Sequence, residues 1–305
     1  MPTNAIGVDV SKAWLDICDP AAGTATRLEN TPAALAVWAG TLTGRFVVFE
    51  ATGSYDRELA GALEAAGIRH ARVNPRQARE FARATGRLAK TDRVDARLLA
   101  EMGERLDLAA CQPVAPERQR LADLVAYRGA VRDMLTAEQV RLQTAHDGWV
   151  RRQIAASIRL LLLRLKRAEA EMERHKAAHA DLAGLDARLQ TAPGVGPQVA
   201  STLIACLPEL GRVDRRAIAS LAGLAPHARE SGIRTGRRRI WGGRAPVRRV
   251  MYMAALVAVR WDAHWKSVYT ALRAAGKTGK TCLIAIARRL LVRLNAMIAK
   301  QQNYA

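Results

Sequence analysis

The order in which short apolar runs and helix signals alternate over the first hundred residues constrains this chain most. Ala5-Ile6-Gly7-Val8-Asp9-Val10 is a brief apolar run that ends in an acid. Residues 14–18 and 24–29 follow, set off by Asp19-Pro20 and Ala21-Ala22-Gly23. These separators are turn signals, so three strands joined by hairpins are expected. Thr31-Pro32 opens a helix to about residue 39, with Thr as N-cap and Pro at the first position. Residues 45–50 form the next strand, again ending in an acid, and Ala51-Thr52-Gly53-Ser54 turns the chain into a helix over 55–66. A strand over 69–73 and a helix from Asn74-Pro75 through residue 84 follow. Residues 92–106 have helical spacing, with Val94, Leu98, Leu99 and Met102 as the apolar stripe and Thr91 as N-cap. The order β-β-β-α-β-α-β-α-α predicts an α/β sheet that begins with a hairpin.

That layout gives the acids a meaning. Asp9 and Glu50 end strands at the carboxyl edge of the sheet, where α/β proteins place their sites. Asp92 and Asp95 lie three apart and project from one face of a helix that can pack beside that edge. Carboxylates held close repel unless a positive charge sits between them, and a hard cation such as Mg²⁺ suits oxygen ligands. The four acids together would make a one-metal or two-metal site for in-line phosphoryl transfer. The plain alternatives remain open: Asp92 and Asp95 decorate a helix N-terminus favoured by its dipole, and Asp9 is a strand-end turn acid.

Charge points to the partner. Of the net +20, residues 186–305 supply +16, with 21 Lys and Arg against five acids, whereas residues 1–106 are nearly balanced. A solvated charged face would not need such segregation, so the last third is expected to bind a polyanion, nucleic acid above all. Four scattered cysteines without a Cys-x-x-Cys pair argue against a disulfide framework or a cysteine zinc site and fit a reducing compartment. No apolar run reaches membrane-spanning length, and the first residues lack a signal pattern. His175 and His179 are a helical turn apart but without the Glu of a zincin, so no metal is expected there. Gly276-Lys277-Thr278-Gly279-Lys280 lacks the P-loop spacing and reads as a basic backbone clamp.

Residues 107–116 form a linker broken by Pro113 and Pro116. Residues 117–146 and 150–183 are long charged helix formers interrupted at Asp147-Gly148, expected as a helical hairpin or coiled-coil arm. Thirty helical residues span roughly 45 Å, and so long a hairpin suits an oligomerisation arm. Pro193-Gly194-Val195-Gly196 between helices 181–190 and 198–207 is a turn of the helix-hairpin-helix type, in which Gly194 and Gly196 let backbone N–H groups approach a phosphate; a plain interhelix turn is the alternative. The stretch 223–244 gathers Arg229, Arg234, Arg237, Arg238, Arg239 and Arg244 against one acid, Glu230, and holds Ser231-Gly232 in a loop. A serine there is placed to meet a phosphodiester, as a phosphate-binding residue or, with arginines stabilising the alkoxide and transition state, as a nucleophile. Ser220, in a stretch with the look of helix packing, is the alternative serine. Three helices, over 248–260, 264–275 and 281–300, finish the chain.

Four stretches carry a family resemblance: Gly7-Val8-Asp9-Val10-Ser11-Lys12, Glu50-Ala51-Thr52-Gly53-Ser54-Tyr55, Val73-Asn74-Pro75-Arg76-Gln77-Ala78-Arg79 and Lys90-Thr91-Asp92-Arg93-Val94-Asp95-Ala96. In this combination they resemble the successive motifs of the DEDD insertion-sequence transposases, relatives of the Piv-type invertases and bridge-RNA-guided recombinases. The resemblance covers nearly the whole chain. It implies a ribonuclease H-like, RuvC-like α/β N-terminal domain over 1–106, a linker and coiled-coil arm over 107–184, and a mainly α C-terminal transposase domain over 185–305. It implies that Asp9, Glu50, Asp92 and Asp95 bind Mg²⁺ or Mn²⁺. The family's nucleophilic serine lies in a Ser-Gly motif followed by Gly-Gly-Arg and a helix, as Ser231, Gly243-Arg244 and the helix from Arg248 do here.

The resemblance also implies a DNA recombinase that passes through a covalent phosphoserine. A structured bridge RNA would choose donor and target DNA, and the protein would work as a dimer assembling to a tetramer in the bacterial cytoplasm, at the nucleoid. With halves so far apart in sequence, the site is expected to be composite. Lys12, Arg76, Lys90 and Arg248 join the arginines and glycines above as expected nucleic-acid contacts. The rival within enzymes is a metal-only RuvC-like nuclease or junction resolvase, in which water attacks and Ser231 only binds phosphate. A non-catalytic nucleic-acid-binding protein is the rival of another class.

Overall fold

The computed structural model describes residues 4–51, 53, 55–86, 92–227, 230–231, 234–235 and 239–304, with the backbone alone at 92–94, 227, 230–231 and 234–235. The chain divides into two compact units, Met1–Pro113 and Val114–Ala305.

In the first unit the strands are β1 (Ala5–Val10), β2 (Trp14–Asp19), β3 (Thr24–Glu29), β4 (Phe46–Glu50) and β5 (Arg69–Val73). They form one mixed sheet in the order β3-β2-β1-β4-β5, with β1-β2 and β2-β3 antiparallel and β1-β4 and β4-β5 parallel. The helices are α1 (Pro32–Gly40), α2 (Arg57–Ala65), α3 (Pro75–Ala84) and α4 (Asp92–Arg105). Thr31 and Asn74 cap α1 and α3 by accepting from Ala34 and Arg76 N–H groups, as the sequence predicts. One sheet face buries Ile6, Val8, Leu15, Ile17, Val47 and Phe49 under Leu35 of α1 and Leu59 and Leu63 of α2. The other buries Val48, Ala71 and Val73 under Ala78 of α3 and Leu99 and Met102 of α4. Period-two alternation decides which side chains go to which layer. The result is consistent with the ribonuclease H-like α/β domain that the resemblance implies.

The second unit is helical. Helices α5 (Pro116–Thr144) and α6 (Gly148–Ala177) form an antiparallel hairpin whose turn is capped by Asp147, which accepts from the Val150 N–H at 2.9 Å. Val131, Leu135, Leu161 and Leu165 make a small seam between them, flanked by Arg120–Glu171 and Arg128–Glu169 ion pairs, each 2.8 Å. The open end of the hairpin joins the main core, where Leu121 and Met172 pack with α7 (Ala180–Gln190), α8 (Pro197–Cys206), α9 (Arg215–Leu221), α10 (Ala245–Trp261), α11 (Ala263–Ala274) and α12 (Gly279–Ala299). The sequence runs one helix through residue 183, but the structure breaks it after Ala177. No Gly or Pro marks the break. It is made by the buried Lys176 ammonium, which meets Asp186 of α7 at 2.6 Å, and by His179, whose Nδ1 meets the His175 carbonyl at 2.8 Å. Among the described residues between α9 and α10 are four two-residue strands: β6 (Pro226–His227) pairs with β9 (Arg239–Ile240), and β7 (Glu230–Ser231) with β8 (Arg234–Thr235). No helix among the described residues is long and apolar enough to cross a membrane.

Candidate active-site residues

Asp9 and Glu50 are brought together by register. In the parallel pairing of β1 with β4, Val8 is level with Phe49, so the next residues, Asp9 and Glu50, lie side by side at the carboxyl edge. Helix α4 runs backwards along β1, which carries its first turn, with the backbones of Asp92 and Asp95, toward that edge. A side chain at Gly7 would overlap the Ala96 carbonyl and the Ala100 amide, and a Cβ at Gly103 would lie 2.7 Å from Val48 and 2.8 Å from Ala5. The end of α4 therefore sits over the start of the strands and its beginning over their acidic ends. Asp95 is half-buried there, as are Asp9 and Glu50. The backbone of Asp92 opens α4, and its side chain, with Lys90 and Thr91, lies outside the described residues. Among the described residues no three His, Cys, Asp or Glu side chains form a group set to hold a metal. The donor set is nonetheless of the right chemistry, carboxylate oxygens from two strand ends and a helix N-terminus, which suit a hard divalent cation. Lys12 and Arg76 are exposed at the same edge of the sheet.

The structure shows supports that sequence reasoning missed. The Asn30 amide donates to the carbonyls of Ser11 at 2.9 Å and Tyr55 at 3.0 Å, tying the loop after β1 to the loop after β4. Arg72 of β5 forms an ion pair with buried Asp56 and donates to its Oδ1 at 3.1 Å and to the Gly53 carbonyl at 3.4 Å. Asp16, level with Asp9 on β2, is buried under Arg27, which donates to its two oxygens at 3.0 and 2.8 Å. Only the outward alternation of Arg72 and Arg27 along their strands hinted at these pairs. Cys111 is half-buried beside β5: its sulfur accepts from the Arg72 N–H at 3.3 Å. Burial pushes the thiol up, but the His70 hydrogen bond and the Arg72 amide outweigh it and hold Cys111 below the usual thiol range.

In the second unit Ser231 does not lie in open loop. It ends β7, directly across from Arg234 on β8; residues 232–233, with Arg229, Arg237 and Arg238, lie outside the described residues. Arg239 is exposed on β9. Arg248 donates to the Gly242 carbonyl at 2.6 Å, and Arg244 pairs with Glu209. Ser220 lies within α9, exposed. In the turn between α7 and α8, Gly194 has φ +80°, and a side chain there would overlap the Ala254 carbonyl of α10. Gly196 is the N-cap of α8 and has open space around it.

Comparison with known proteins matches both units. Residues 6–148 match the DEDD transposase model of the IS110 type, and residues 186–270 match the model described as Transposase IS116/IS110/IS902 family. The chain belongs to the IS110 family of transposases. A "Pilin gene-inverting protein" of Moraxella bovis is 27% identical over 319 residues, spanning all of this chain and 98% of that protein. That of Moraxella lacunata is equally similar. The "Insertion element IS110 uncharacterized 43.6 kDa protein" of Streptomyces coelicolor is 32% identical over 112 residues, 36% of this chain and 28% of that one. The IS110-type match begins at β1 and takes in Asp9, Glu50, Asp92 and Asp95; the other takes in the Ser231 hairpin.

Proposed function

We propose that this transposase cuts and rejoins donor and target DNA through a covalent phosphoserine on Ser231. Asp9, Glu50, Asp92 and Asp95 are its divalent-metal ligands, and a structured guide RNA is its source of sequence choice. The observation that carries the reading is the reversed packing of α4 on β1, which sets the N-terminal end of α4 at the acidic ends of β1 and β4. Bound Mg²⁺ or Mn²⁺ supplies charge neutralisation on the scissile phosphate and the departing sugar oxygen. In the cutting step a bond forms between Ser231 Oγ and phosphorus, one phosphorus–oxygen bond to deoxyribose breaks, the hydroxyl proton leaves to solvent, and the sugar oxygen gains one. In the joining step a sugar hydroxyl of the exchanging strand attacks the phosphoserine and restores the serine, so no energy source is needed.

Arg234, paired with Ser231 across β7 and β8, is the proposed cation for the charge that develops on the phosphate. The surplus of 16 positive charges in residues 186–305 supports binding to DNA and to a guide RNA. Exposed Met134, Val140, Trp149, Leu160 and Leu163 along the α5–α6 hairpin support its reading as an oligomerisation arm. The test is a recombination assay with donor and target DNA, guide RNA and Mg²⁺. Wild type should give exchanged product, and Asp9→Asn and Ser231→Ala should each abolish it while leaving RNA and DNA binding intact. Cleavage retained by Ser231→Ala would mean that water attacks and the metal site works alone; activity retained by Asp9→Asn without divalent ions would sink the metal assignment.

A further inference from the structure

We infer that Glu209 is a positioning residue for the serine hairpin, acting through Arg244; the inference rests on the assignment of Ser231 as nucleophile. Glu209 follows α8 and Arg244 is the N-cap of α10, 35 residues apart. The Arg244 guanidinium donates to both Glu209 oxygens, at 2.5 and 2.6 Å, and to the Cys206 carbonyl at 3.0 Å. Both groups are about one-third exposed. Burial pushes the Glu209 carboxyl up, yet the Arg244 hydrogen bonds and charge outweigh it and hold the acid below its usual range.

The pair sits at the base of the Ser231 stretch. The chain leaves the core at Gly223 and returns at Gly243, and there the two backbones touch. A Cβ on Gly243 would overlap the Gly223 backbone, and one on Gly223 would overlap the Gly242 carbonyl and the Arg248 guanidinium. Both glycines have positive φ, +65° and +60°. The Arg244 N–H donates to the Leu221 carbonyl at 2.8 Å, and Leu224 N–H to Ala219 at 2.8 Å. The segment between is held at this pinch and, a few residues further out, by the pairing of β6 with β9, and Arg244 bolts the returning backbone to the core at the first of the two. Ser231, eight residues beyond Gly223, sits up to roughly 26 Å of extended chain from that point. A shift of Arg244 moves the base of the stretch that carries Ser231, and in-line attack tolerates about 1 Å. Arg244 looks in sequence like one more phosphate-binding arginine. In the structure its donors are turned to Glu209 and Cys206.

The test compares full-length wild type, Glu209→Gln, the exchanged pair Glu209→Arg with Arg244→Glu, and Ser231→Ala. Amide hydrogen exchange over 224–244 should quicken about tenfold in Glu209→Gln while α12 exchanges as in wild type. With guide RNA, DNA and Mg²⁺, formation of the protein–DNA adduct should slow about tenfold while DNA affinity stays at the wild-type value. The exchanged pair should recover part of both. Unchanged exchange over 224–244, or loss of DNA affinity with an unchanged adduct rate, would overturn the inference. The Ser231→Ala arm separates the two readings. An adduct that survives it refutes Ser231 as nucleophile, whereas a Ser231-dependent adduct unaffected by Glu209→Gln refutes Glu209 alone. Should no adduct form, hydrogen exchange still decides whether the clamp exists.

Discussion

Asp9 and Glu50 stand side by side because of one β-sheet register, and in the proposed metal site a divalent cation would offset the repulsion between two carboxylates so placed. Replacing Asp9 by Asn should therefore cut DNA cleavage by about a thousandfold or more, the several kcal/mol a metal site supplies. Cys111 gives a second test at this scale. Its thiol is held below the usual range, those of Cys18 and Cys206 are pushed up by burial, and Cys282 is buried. Mass spectrometry after brief alkylation near neutral pH should find Cys111 modified first; preferential modification of Cys18 would contradict this. Glu209 sets a pH dependence. Its pKa is lower folded than unfolded, so its contribution is present above the unfolded value and lost as pH falls through the folded one. The stability gap between wild type and Glu209→Gln should close on that acid limb, as read by denaturant melts. The strand-end positions of the two acids were legible in sequence because each closes an apolar run; their role was not, because a turn acid closes a strand in the same way. Asn30, Asp56 and Glu209 were not, since each finds its partner 16 or more residues away and carries no local signal.

At the scale of elements, α4 against β1 matters most, and Gly7 permits it. Gly7→Val would drive a branched side chain into the α4 backbone, and overpacking of this kind costs about 1–3 kcal/mol or more. The variant should melt earlier and lose metal-dependent cleavage together, and a stable, active Gly7→Val would refute the packing as described. The joint between α6 and α7 makes a further test. Asp186→Ala would leave the Lys176 ammonium, 2% exposed, without its 2.6 Å partner, although Glu173 remains at 3.0 Å. Breaking a buried pair costs about 3–5 kcal/mol, so the second unit should unfold at clearly lower denaturant than wild type. The succession of strands and helices, the helix starts at Thr31 and Asn74, and the break between two long helices at Asp147-Gly148 were legible because each has a local cause, alternation, a capping side chain or a turn signal. The break after Ala177 was not, because a buried charge pair rather than a helix-breaking residue makes it. The Ser231 hairpin was read as loop because strands of two residues leave no periodicity to count.

For the whole molecule, charge and chemistry are divided along the chain. The acids lie in a unit that is nearly neutral, and the serine lies in the basic one. Affinity for DNA or RNA should fall steeply and linearly in log–log form with salt, by about 10³ or more between 50 and 200 mM if six or more phosphates are neutralised. Charge-neutral substitutions in the last third should flatten that slope, and the same number placed in residues 1–106 should flatten it less. A salt-independent affinity would remove the basic surface from the reading. The most direct test of the central claim is covalent: wild type and Ser231→Ala are incubated with guide RNA, Mg²⁺ and labelled donor and target DNA, then denatured and resolved by size. A protein–DNA adduct that forms in wild type, needs divalent metal and is absent from Ser231→Ala is the expected result. Cleaved DNA free of protein in both would contradict it and leave water as the nucleophile.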